Sequence, residues 1–240
     1  MARRPTRKPA AKAERVAAAP VLPADASDRE KIIAAFMGLL AGQRFEEIGL
    51  AEIAEAAGVS LAAFRGEFAS PLAILAAHIK DTDRAVLAAD FSDMADELPR
   101  ERLFDVLMRR LEILAPHREA VRSLIRSASR NPPLAVAFNG LAVRSQQWML
   151  TAAGIGAAGP RGMVRAQGLA LLFGSVLRTW IDDDDPGLAR TMAALDRALS
   201  RGQRVAGLFE DLLGVPARLC RLRSRRRRPS EGEAEETAAA

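Results

Sequence analysis

Residues 53–68, IAEAAGVSLAAFRGEF, constrain what this chain can fold into more than any other stretch. Apolar residues at Leu50, Ile53, Ala54 and Ala57 recur at helical spacing, and Leu61, Phe64 and Phe68 resume the period after a break. The break, Ala57-Gly58-Val59-Ser60, supplies a tight turn: Gly58 can take a positive φ, and Ser60 stands where a second helix needs its N-cap. Two short helices joined by a glycine-containing turn of this length predict a helix-turn-helix, whose second helix can enter a DNA major groove. Ser60, Leu61, Ala62, Ala63 and Arg65 are the candidate DNA-contacting residues at its exposed start and face.

A supporting helix is expected before this pair. Ser27-Asp28-Arg29-Glu30 is a capping box, and Ile32, Ile33, Phe36, Leu39 and Leu40 give the helix it opens an apolar face ending near Gly42. Ser70-Pro71 repeats the start signal, with Leu72, Leu75 and Ile79 on the face of a fourth helix that links to the C-terminal part of the chain. From Pro99 further helical runs continue: Leu103 to Leu114, a run opened by Pro116, then 134–153 and 161–181, with Asn131-Pro132-Pro133 as a firm break. Asp182 to Asp185 before Pro186 marks another boundary, with Asp185 expected as N-cap, Pro186 at the first helical position, and the other carboxylates in solvent. A last helix carries Leu188, Met192, Leu195, Leu199, Gly202, Ala206, Phe209 and Leu213 at alternating spacings of four and three, a heptad seam. No run alternates apolar and polar residues as a half-buried strand would, so the fold class is all-α.

Charge is distributed unevenly. Of 35 basic residues only four are Lys. Residues 1–24 hold six basic groups (Arg3, Arg4, Arg7, Lys8, Lys12, Arg15) against one acid, and 218–228 hold seven basics followed by four glutamates. The middle is left slightly acidic, and 45–79 carries Glu46, Glu47, Glu52, Glu55 and Glu67 against Arg65 alone. The expected division is a disordered basic arm over 1–26, a helix-turn-helix domain over 27–75, a helical ligand-binding and dimerisation domain over 76–213, and a disordered charged tail over 214–240. Arg3, Arg4 and Arg7 then join the candidate DNA contacts, because phosphate neutralisation must come chiefly from the arm. A single cysteine, Cys220, gives no disulfide framework and no metal cluster; no apolar run is long enough to span a bilayer, and the start lacks the apolar core of a secretory signal. A cytoplasmic protein without stable membrane insertion is expected.

Two motifs that could suggest other chemistry do not hold. Gly154-Ile155-Gly156-Ala157-Ala158-Gly159 matches G-x-G-x-x-G, but a dinucleotide site needs a strand before the glycines, and the residues before them are helical by pattern. His78 and His117 are the only histidines, and no nucleophile, base and orienting acid are arranged around them. The chain is expected not to be an enzyme and to need no metal or cofactor.

Ile53-Ala54, Ala57-Gly58-Val59-Ser60, Phe64 and Phe68, with Phe45 in the preceding loop, resemble the TetR family of bacterial transcriptional regulators over about residues 28–75. The chain has Arg65 where the family usually carries a Tyr, and Pro71 where it carries a Lys. The resemblance implies three N-terminal helices that bind operator DNA and about six more that bind a small apolar effector and form a homodimer. The effector changes the spacing of the two recognition helices, so the protein acts as a repressor released by its ligand. Leu107, Met149, Phe173 and Trp180 are the expected lining of that effector site, with Arg144 or Gln147 as polar anchor. The dimer is expected to form on the last two long helices, packed with the partner's pair as a four-helix bundle along the seam of 188–213. A TetR fold without a working recognition helix also resembles a lipid- or isoprenoid-binding accessory protein of ubiquinone biosynthesis, in the rhythm of Trp148, Trp180-Ile181-Asp182, Thr191 and Leu195. This is the alternative reading.

Overall fold

The computed structural model describes residues 23, 25–89 and 96–203. Among them there are helices, turns and no strand. The arm residues Arg3, Arg4 and Arg7, the seam residues Ala206, Phe209 and Leu213, Cys220 and the charged tail lie outside the described residues.

The N-terminal unit begins at α1 (Asp28–Gly42). Its first turn is closed by the capping box: the Ser27 N–H donates to Glu30 Oε2 at 2.8 Å, and the Glu30 N–H donates to Ser27 Oγ at 3.3 Å. A 3₁₀ turn (Phe45–Glu47) leads into α2 (Leu50–Ala57), which stops at Gly58 with φ +67°, the left-handed conformation that a side chain would resist. Ser60 caps α3 (Leu61–Glu67), its hydroxyl accepting from the Ala63 N–H at 3.1 Å. Ser70 does the same for α4 (Pro71–Leu87), accepting from Ala73 at 3.2 Å with Pro71 at the first position. Ile32, Phe36, Leu40, Ile53, Phe64, Phe68 and Ile74 bury together as the core of this unit.

The rest of the chain forms α5 (Pro99–Leu114), a 3₁₀ turn (Ala115–His117), α6 (Arg118–Arg130), α7 (Pro132–Ala152), α8 (Gly159–Trp180) and a helix over 189–203, α9. Asn131 caps α7, accepting from the Leu134 N–H at 3.1 Å. The glycine-rich motif at 154–159 is the loop between α7 and α8, as its helical flanks require. Its close return explains Gly162: a Cβ there would lie 2.1 Å from the Ala157 carbonyl. A second core gathers Val86 of α4 with Leu107, Leu111, Met149, Phe173, Trp180 and Leu195 from α5, α7, α8 and α9.

The two cores are not independent. Ala120 of α6 is fully buried in the N-terminal core, and Leu124, Phe138 and Leu141 pack against it. Two serines one turn apart on α6 hold the loop after α1: Ser123 Oγ donates to the Gln43 carbonyl, and the Phe45 N–H donates to Ser127 Oγ at 3.2 Å. Phe45 itself stands edge-on to Phe36 of α1 and Phe138 of α7, at centroid distances of 6.0 and 5.1 Å. A change in α6 or α7 therefore reaches the helix-turn-helix through packed rings and paired backbone groups.

The start of α9 differs from its expected form. The helix opens at residue 189, not at Pro186, and Leu188 takes φ +51° in the turn before it. Asp185 does accept from the Ala189 N–H at 3.0 Å. Asp183, expected in solvent, is instead buried and accepts from both the N–H and the hydroxyl of Thr191, at 2.8 and 2.6 Å. Those bonds, the hydroxyl's first, hold its carboxyl below the usual range. The seam also departs from expectation. Thr191, Leu195, Ala198 and Leu199 are buried within the subunit, whereas Met192 is exposed, because α9 packs this face onto its own α5 and α8 core.

Candidate nucleic-acid interface

α3 buries Phe64 and turns its other face outward. Ser60, Leu61, Ala62, Arg65 and Gly66 are exposed and Ala63 is half-buried, so five of the sequence-derived contacts lie together on one surface of one short helix. Arg65 has no ion pair or hydrogen bond among the described residues, and its guanidinium is free to meet a base edge or phosphate. Elsewhere in the N-terminal unit, Arg44 pairs with Glu46 and Glu47, at 3.6 and 2.6 Å, and Arg29 with Asp81 at 2.9 Å. The exposed face of α3 offers a nucleic acid one cation, Arg65, beside Ser60, Leu61, Ala62 and the acidic Glu67.

The sequence-derived effector residues separate into two groups. Leu107, Met149, Phe173 and Trp180 meet in the second core and are at most 4% exposed. Arg118 lies over the Trp180 ring, 4.9 Å from its centroid, and donates to the Asp183 carbonyl at 2.8 Å. Arg144 is exposed on the outer face of α7. Gln147 is half-buried at the rim of a surface depression shared with Trp148, Thr151 and the loop 154–158, and its amide approaches Met163 Sδ at 2.9 Å. The two tryptophans thus part company: Trp180 is sealed in, and Trp148 is 56% exposed.

Sequence reasoning missed the surface on which Trp148 stands. α7 and α8 run antiparallel, joined side by side by the Asn139–Gln167 amide pair at 2.9 and 3.1 Å. Along α7, Val136, Gly140, Arg144 and Trp148 face outward at four-residue spacing; along α8, Val164, Gly168, Leu171 and Ser175 do so at four, three and four. Val136, Val164 and Leu171 are 73%, 68% and 65% exposed. The missed signal was the small and apolar stripe at 164, 168, 171 and 175, which reads equally well as an inward face.

No family model and no curated protein matches this sequence. Solved structures do. A TetR transcriptional regulator from Nitrosomonas europaea superposes with a TM-score of 0.57 at 23% identity, over 73% of this chain and 97% of that one. A TetR transcriptional regulator from Rhodococcus sp. RHA1 does so with a TM-score of 0.52 at 21% identity, over 73% and 95%. The fold is that of the TetR regulators. In that fold the pair α2–α3, joined at Gly58 and capped by Ser60, is the helix-turn-helix. Among the described residues no helix is long and apolar enough to cross a membrane, and no three His, Cys, Asp or Glu side chains cluster closely enough to hold a metal.

Proposed function

We propose that this protein is a DNA-binding transcriptional regulator, a repressor that acts as a homodimer and is released from its operator by a small, largely apolar effector. The observation that carries the reading is the exposed face of α3, with Ser60, Leu61, Ala62 and an unengaged Arg65 displayed on a capped helix-turn-helix. One such face is too small to specify a site. Helix-turn-helix proteins overcome this by docking two recognition helices in successive major grooves about 34–36 Å apart, which requires a second copy.

The bare surface of α7 and α8 is where that copy fits. Val136, Trp148, Val164 and Leu171 expose apolar area that a monomer rarely leaves open, and Gly140 and Gly168 permit close helix approach. Two helices from each subunit form a four-helix bundle. With Leu195 and Leu199 buried within their own chain, the surface we propose pairs α8 with α7 in place of 188–213, of which residues 204–213 lie outside the described residues. The basic arm, with Arg3, Arg4 and Arg7, supplies the phosphate contacts that the globular face lacks. Leu171→Arg is expected to yield a monomer by light scattering and to lower operator affinity by at least about a hundredfold, because each half-site then binds alone. A wild-type protein that is monomeric at micromolar concentration, or a monomeric variant with unchanged operator affinity, contradicts the reading.

A further inference from the structure

The second core is apolar almost throughout, with one charged cluster inside it. Asp83 of α4 and Arg110 of α5 are 7% and 5% exposed and form an ion pair through Nη1 of the guanidinium. Ser145 of α7, 2% exposed, donates its hydroxyl to the same Asp83 oxygen at 2.7 Å. The guanidinium carbon lies 5.8 Å from the centroid of the Phe173 ring on α8. One cluster thus ties four helices together. A buried ion pair is a weak source of stability, since desolvating both charges offsets most of their attraction.

The cluster is also incomplete. Arg110 Nε is buried and has no partner. Nε and its neighbouring Nη2 form an edge of the guanidinium that takes a carboxylate through two parallel hydrogen bonds. A buried donor without a partner forfeits the hydrogen bond it made to water, and a bound acceptor restores it. Gln146 Oε1, beside Ser145 on α7, and His78 Nε2 on α4 are buried and unpartnered as well.

We propose that this cluster is the polar end of the effector site, and that the effector is an amphipathic carboxylic acid whose carboxylate takes the Nε edge of Arg110. The inference rests on the reading of the chain as an effector-controlled regulator. The apolar body of the acid lies against Phe173 and against Leu107, one turn from Arg110 on α5. A second carboxylate on one guanidinium repels Asp83 and weakens its tie to Arg110. Asp83 belongs to α4, whose first residue comes four positions after the end of the recognition helix, so the tie that the acid loosens is one that holds the helix-turn-helix in place. The acid shifts the equilibrium only by as much as it prefers the loosened state.

The test is calorimetry on the full-length protein without DNA, using octanoate and phenylbutyrate, each against its own primary amide. Charge-assisted hydrogen bonds to the guanidinium should make each acid bind at least about tenfold tighter than its amide. Arg110→Lys keeps the charge and lacks the edge, and should abolish most of that preference. The Arg110 Nε–H resonance should move on titration with acid and stay in place with amide, a readout that needs no variant to fold. Acids and amides that bind alike overturn the carboxylate inference and leave an effector site standing. An absence of binding by every acid at millimolar concentration also overturns it. Whether the chain is an effector-controlled regulator is then decided separately, by release of operator DNA with neutral small molecules.

Discussion

Truncating Trp180 to alanine lowers the free energy of unfolding by about 3–5 kcal/mol, the range for a large aromatic removed from a packed core. The side chain is fully buried at the end of α8, with the Arg118 guanidinium over its ring and the second core around it. Its loss opens a void that neighbouring helices can close only partly, and it removes the surface on which Arg118 rests. In a domain of this size about 1 kcal/mol moves Tm by roughly 2–4 °C, so a fall of about 10 °C is expected by calorimetry or circular dichroism. A loss below about 1 kcal/mol would show that Trp180 lines space already open to solvent or ligand. The same substitution therefore separates a core tryptophan from one that waits for a guest.

Between pH 6.5 and 4 the protein should lose stability on the order of 3 kcal/mol through His78 alone. Burial first, then the neighbouring His117 and Arg110, push the His78 pKa from 6.5 down to about 4. Its ring stands edge-on to His117 at 4.8 Å, with Nε2 unpartnered. The unfolded chain takes up a proton below 6.5 while the folded one resists until about 4, so the unfolded state gains as the pH falls through that window. His117 is lowered too, by burial, and adds in the same direction. Urea unfolding at pH 7 and pH 4.5 should show the drop in the wild type and a clearly smaller one in His78→Leu. Equal drops would place the acid sensitivity in a group other than His78.

Local chemistry was legible in the sequence wherever one residue type decides one backbone feature. Ser27, Gly58, Ser60, Ser70 and Asn131 each announce a helix end, and each makes the cap or turn its chemistry favours. The glycine-rich loop was legible as a helix connection for the same reason. What stayed hidden depends on which side of a helix faces in. Leu171 and Leu169 have the same composition and opposite exposure, and only the packing of α8 against α7 separates them. The spacing of 188–213 was a sound heptad, yet α9 spends Leu195 and Leu199 on its own subunit. Asp83, Arg110 and Ser145 are 27 and 35 residues apart along the chain, so no local pattern could bring them together. On α3 the opposite holds: a helix of seven residues with Phe64 inward and Phe68 buried at its end leaves few alternatives for the rest.

Whether α3 reads DNA is tested by the affinity of the full-length protein for its own upstream region against random DNA of equal length near physiological salt. A preference of at least about a thousandfold is expected, as specific regulators show. Arg65→Ala should lower discrimination by roughly 1–3 kcal/mol while leaving non-specific binding through the arm intact. Equal affinity for both DNAs, unchanged by Arg65→Ala, would contradict it and leave the helix-turn-helix as a scaffold.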